Sequence, residues 1–109
     1  ENNLQRLERM VETAANRNIV VVGIIFPMSP GYASTGSFGR YGIRRSEAPG
    51  LIKKIKAISD RFPNFILMDE NKMGAHDYDD AMAENNDHLC LVGASQMTSR
   101  LNELLKKLD

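Results

Sequence analysis

A chain of 109 residues fits one small domain, in which a core forms only if most apolar residues point inward. Lys+Arg 14 balance Asp+Glu 14, so no field of one sign gathers nucleic acid or an anionic membrane surface, and neither partner is expected. Hydrophobic content of 42% with 26% charged residues is that of an ordinary globular domain, and no apolar run approaches the roughly 20 residues that span a bilayer.

Leu4, Leu7, Met10, Val11, Ala14 and Ala15 recur at steps of three and four, which predicts an amphipathic helix ending near Asn16 to Asn18. Ile19 to Phe26 is a β-branched run without alternation, as expected of a central parallel strand covered on both faces. Pro27 to Arg45 holds too many prolines and glycines for regular structure and reads as a long loop. Ser46 is placed to cap a second helix, with Leu51, Ile52, Ile55 and Ile58 inward and an end before Pro63. Phe65 to Met68 is a second strand, and strand, crossover helix, strand makes a right-handed parallel unit. His76 to Ala83 is polar with room for one helical turn. Met97, Leu101, Leu104, Leu105 and Leu108 define the inner face of a final helix. Neither a repeat nor an internal domain boundary is evident, and 1–109 reads as a single α/β domain or the C-terminal part of one. A sheet of two strands is thin for an independent domain, so further strands are expected from an upstream part of the same polypeptide or from a partner.

Chemistry is expected beyond the carboxyl ends of the strands, where open parallel sheets collect ligands. Gly31 and Gly36 have phosphate-loop spacing, but Ser37 stands where that loop has lysine, so nucleotide binding is not expected. Arg40, Arg44 and Arg45 beside Tyr32, Phe38 and Tyr41 form a basic and aromatic cluster suited to a carboxylate, a phosphate or a sugar ring. Asp69, His76, Asp77, Asp79 and Asp80 match neither calcium-loop nor zinc spacing, and no metal or cofactor is expected. The lone Cys90 and the methionines Met10, Met28, Met68, Met82 and Met97 read as core. The opening Glu1-Asn2-Asn3 shows no leader pattern, which fits a cytoplasmic protein or a piece of a longer one.

The stretch Asn85-Asn86-Asp87-His88-Leu89-Cys90-Leu91-Val92-Gly93-Ala94 resembles the last block of the SGNH (GDSL-type) hydrolases. There an aspartate stands three residues before a histidine, and small residues turn the chain into a C-terminal helix. The resemblance implies a three-layer, flavodoxin-like or SGNH-like parallel sheet with flanking helices, this chain being its C-terminal half. It makes His88 the general base that takes a serine's proton and returns it to the leaving group. Asn85 stands at the family's aspartate position and orients the imidazole without charge, with Asp87 as a substitute; in a serine protease the same Asp-to-Asn change lowers turnover about 10⁴-fold. No Gly-Asp-Ser segment follows a strand in this chain, so the resemblance puts the serine upstream and this chain alone is not expected to be active.

Phe26-Pro27-Met28-Ser29-Pro30-Gly31-Tyr32, His76-Asp77-Tyr78 and Asp87-His88-Leu89 further resemble a paralogous family of large Fibrobacter succinogenes proteins, many with lipoprotein signals. That likeness implies an extracytoplasmic protein and an acylated plant polysaccharide as substrate class. The rival expectation is a non-catalytic carbohydrate-binding or structural module that uses the Gly31 to Arg45 loop. A receiver-like domain would need an acidic or phosphate-binding pocket after the first strand, and Phe26-Pro27-Met28 provides neither.

Overall fold

A computed structural model describes residues 1–39, 42–85 and 88–108. Among them the chain is mixed α/β, with three α-helices and a small sheet of two parallel strands. It divides into two compact units, Glu1–Ile25 with Ser46–Asp69, and Phe26–Arg45 with Glu70–Asp109.

In the first unit, helix α1 spans Asn3–Ala15. It starts one residue earlier than the apolar spacing suggests because Asn2 and Gln5 form a reciprocal capping box, each side chain accepting the other's backbone N–H at 2.9 Å. Asn18, at φ 57, turns the chain out of the helix, and the next residue's N–H returns to Ala14 O at 2.9 Å. Strand β1, Val21–Ile25, pairs in parallel with β2, Phe65–Asp69, placing Val21 opposite Phe65 and Ile25 opposite Asp69. In a two-stranded sheet neither strand is central, and all five β1 residues are half-buried; a β-branched run reports propensity for a pleated surface, not the number of neighbours it will have.

Helix α2, Ala48–Arg61, crosses between the strands. Its N-cap is Glu47, not Ser46, and no side chain caps it. Pro49 sits in the first turn, where its fixed φ and missing N–H set the helix start by themselves. Val11, Ile58 and Phe65 form the core, with Leu4, Leu7, Val21, Ile55, Phe62 and Leu67 packed around them. Gly23 belongs to this packing, since a Cβ there would come within 2.9 Å of the Phe65 ring. Asn64 ties the unit together from the β2 entry, its amide donating to the carbonyls of Val11 and Ile19 at 3.1 Å.

The second unit is built mainly from loops held by side-chain-to-backbone bonds. Pro30–Ser34 is a short 3-10 helix, and Ser37 and Arg44 form an antiparallel bridge, so the expected loop contains two ordered turns. Asn71 donates to Phe26 O at 2.9 Å, and Arg45 donates to Met73 O at 2.7 Å. A 3-10 turn at Asp80–Met82 leads into the short antiparallel strands β3, Ala83–Asn85, and β4, His88–Leu89. Helix α3, Leu91–Lys106, follows at once, so Gly93 and Ala94 lie inside the helix and not in a turn before it. Gly93 packs against the hairpin so closely that a Cβ would stand 2.4 Å from Met82 O. Cys90 is the helix N-cap and half-buried, its thiol donating to Ala81 O at 3.3 Å; it is not a core residue. Among the described residues no helix is long and apolar enough to cross a membrane.

Candidate functional site

One cleft of the second unit gathers Ser29, His76, Tyr78, Asn85 and His88. The space between them is about 20 Å³, room for one or two water-sized groups. Both histidines of the chain therefore face the same small volume, although 12 positions separate them.

The two imidazoles are held differently. His76 Nε2 lies 2.6 Å from Met28 O, and its Nδ1 lies 3.2 Å from the Tyr78 backbone N. A carbonyl can only accept and a backbone N–H can only donate, so His76 is the neutral Nε2–H tautomer with both ring nitrogens engaged. It staples the segment after β1 to the segment after β2 and has no nitrogen left for proton transfer. His88 is exposed, and its Nδ1 lies 2.8 Å from Asn85 Oδ1. With Oδ1 accepting, the proton of this contact sits on Nδ1. The bond exists because the hairpin pairs Asn85 with His88 across β3 and β4.

Behind the cleft lies a charged network that the sequence reading did not assemble. Glu70 is 6% exposed, yet its carboxylate accepts from the Tyr78 hydroxyl at 2.7 Å and from Arg100 at 3.0 Å. Arg100 also pairs with Asp77 and stands 5.3 Å over the Tyr78 ring. Its second amine and the Gln96 amide leave Asp77 held from α3 at both oxygens. Burial first, and the bond to Glu70 second, push the Tyr78 phenol up to about 12. The hydrogen bond from Arg100 holds Asp77 below the usual carboxylate range, and the pairing with Asp77 and Glu70 raises Arg100 above its ordinary value. This network fixes Tyr78, and through Tyr78 the ring of His76, whose centroid is 5.7 Å away in an edge-on arrangement.

Of the residues singled out in the sequence, the fold brings Asn85 and His88 together, while Asp87 lies outside the described residues. Tyr32 is half-buried in the 3-10 helix and Arg44 exposed in its bridge; neither lines the cleft, and Arg40 and Tyr41 lie outside the described residues. No group of three or more His, Cys, Asp or Glu is arranged to hold a metal ion among the described residues. His76 was legible only as a polar residue beside aspartates, and nothing in its spacing announces that it meets Met28. Comparison with protein-family models, with curated proteins and with solved structures finds no match for this chain.

Proposed function

We propose that this cleft is the general-base part of an ester-hydrolysing site of the SGNH kind, in a three-layer α/β domain to which this chain contributes the C-terminal half. The observation that carries the reading is the 2.8 Å contact between His88 Nδ1 and Asn85 Oδ1 in a hairpin on the cleft. A base so oriented takes the hydroxyl proton of a serine on Nε2 and passes it to the leaving alcohol. The small cleft suits a short acyl group, and by the resemblance to the large Fibrobacter proteins the substrate class is an acylated carbohydrate met outside the cytoplasm. By the resemblance, the serine comes from an upstream segment of the polypeptide.

The test is hydrolysis of p-nitrophenyl acetate by the longest natural polypeptide containing this chain. His88→Ala is expected to lower turnover about 10²-fold or more with folding intact. Asn85→Asp is expected to raise it, because a carboxylate stabilises the imidazolium that an amide only orients. An inert parent, or a His88→Ala variant as active as the parent, sinks the reading.

A second reading rests on the uncharged Asn85. As a non-catalytic carbohydrate-binding or structural module, the chain would use the loop that carries Tyr32 and Arg44. Retention on insoluble polysaccharide, lost in Tyr32→Ala with Arg44→Ala and unaffected by His88→Ala, supports that reading over the first.

A further inference from the structure

We propose that the outer edge of β1, with the arginine-lined groove of α1 beside it, docks an extended acidic segment of another polypeptide as an added β-strand. The inference stands apart from the reading of the cleft, because every residue it uses belongs to the first unit.

The two edges of the sheet differ. Val21 donates its backbone N–H to Asn64 O at 2.8 Å, so in the parallel ladder Val21, Gly23 and Ile25 turn their main-chain groups toward β2. Val22 and Ile24 turn theirs outward, where among the described residues no strand pairs with them. The outer edge of β2 is closed at its start. There Phe65 donates to Phe62 O at 2.9 Å, and its carbonyl accepts from Ser59 Oγ at 2.9 Å. The open edge is that of β1.

The groove beside it sets the chemistry of the strand. Arg6, Arg9, Met10 and Thr13 recur on one side of α1, and with Arg17 and Ile19 they line an open groove of about 460 Å³. Met10, Ile19 and Val20, the last at the start of the open edge, are each about half exposed. Glu8, which pairs with Arg61 of α2, lies two residues from Arg6 and so roughly 200° around the helix from it. Since Ser59 ties α2 to β2, the arginine side of α1 stands over the open edge of β1. Arg6 and Arg9 are about two-thirds exposed and share one carboxylate, that of Glu1. Arg17 is exposed and has no carboxylate partner among the described residues. Three guanidiniums against one carboxylate leave the groove positive beside its apolar surface.

That charge selects the occupant. Two copies of the chain paired edge to edge about a twofold axis would bring their arginine sides together, and Ile19 to Phe26 carries no carboxylate to offset them. A lipid surface offers anions but no backbone for Val22 and Ile24. An extended peptide of alternating apolar and acidic residues satisfies both the edge and the groove.

The experiment titrates the full 109-residue chain with the capped peptide Asp-Val-Glu-Val-Thr-Val-Asp and follows backbone amide exchange by NMR. At saturation, exchange at Val22 and Ile24 is expected to slow about 10-fold or more, while Leu67 on the β2 edge is unchanged. Arg6→Glu with Arg17→Glu is expected to weaken binding about 10-fold with the thermal midpoint kept. Neither a peptide with lysine at the acidic positions nor the acidic peptide N-methylated throughout, which keeps its charges and has no main-chain donor, is expected to slow Val22 or Ile24. Equal binding of either control, or no slowing at Val22 and Ile24, overturns the proposal. Slow exchange there before peptide is added overturns it too. With a dimer in sedimentation that result assigns the edge to a second copy, and in the longest natural polypeptide it assigns the edge to a strand of that polypeptide. Binding to phosphatidylserine vesicles with none to the peptide assigns the groove to a membrane surface instead.

Discussion

At the scale of single residues, the consequential group outside the cleft is Glu70. A buried carboxylate is costly unless its partners match its lone pairs, and here Tyr78 and Arg100 do so. Replacing Arg100 by methionine leaves that charge with the phenol alone; since Arg100 is itself about one-third exposed, the expected loss is about 2–3 kcal/mol, below the range for a fully buried pair. Urea unfolding checks this, and Glu70→Gln placed on Arg100→Met should recover 1 kcal/mol or more, because the amide still accepts from Tyr78 without a charge. The phenol gives a pH test. Its folded value is raised above the ordinary 10, so the stabilisation is fully present below pH 10 and is lost as pH rises toward 12. The thermal midpoint should fall across that window, and Tyr78→Phe should flatten the fall. Asp77 acts with the opposite sign, its depressed value giving a contribution present above the ordinary carboxylate range and lost on acidification. None of this was legible in the sequence, where Glu70, Tyr78 and Arg100 are scattered over 31 positions and follow no spacing rule. What was legible is the pair Asn85 and His88, through the resemblance alone, which sets the orienting residue three positions before the histidine.

At the scale of elements, two helical glycines look alike in sequence and differ in surroundings. An alanine at Gly50 in α2 meets nothing within 4 Å, so the helix-propensity gain of about 1 kcal/mol is expected in full. At Gly93 in α3 the same gain is opposed by a Cβ 2.4 Å from Met82 O and 2.9 Å from Leu89, and a backbone oxygen cannot swing aside as a side chain does. Gly93→Ala should therefore destabilise by about 1–3 kcal/mol. Chemical denaturation of the two variants should give shifts of opposite sign; a stabilised Gly93→Ala would mean that α3 does not seat on the hairpin. Lys72 and Met73 hold φ of 49 and 55, and Met73 is fixed there by the bond from Arg45. Met73→Gly should add about 1 kcal/mol by relieving the left-handed conformation. The same contrast explains what could be read from the chain. All three helices follow from apolar period, both parallel strands from short continuous apolar runs, and the end of α2 from Pro63. The short strands β3 and β4 did not, since strands of three and two residues are too short to show alternation.

At the scale of the whole molecule, what matters is how little of the apolar side-chain surface is taken fully out of water. Among the described residues, only Val11, Ala48, Ile58, Phe65, Tyr78 and Met97 are buried hydrophobics, while Leu91 is 82% and Val92 61% exposed. The two units contain roughly 50 and 60 residues each, and units of that size bury a smaller share of their surface than a domain of 150. Unit one has a cluster around three buried side chains, and unit two relies on Glu70, His76 and Asn71 for cohesion, whose protein hydrogen bonds replace bonds to water at a net gain of only about 1 kcal/mol each. Stability at the lower end of the usual range follows, about 5 kcal/mol or less for the 109-residue chain. Equilibrium urea unfolding at two wavelengths, with the monomer verified by sedimentation, measures it. A folded monomer holding more than about 8 kcal/mol would show that half-buried strands and satisfied polar contacts suffice without further strands. A low value in the chain that rises in a longer natural polypeptide would show instead that the two-stranded sheet is completed by added strands, the arrangement that the hydrolase reading requires.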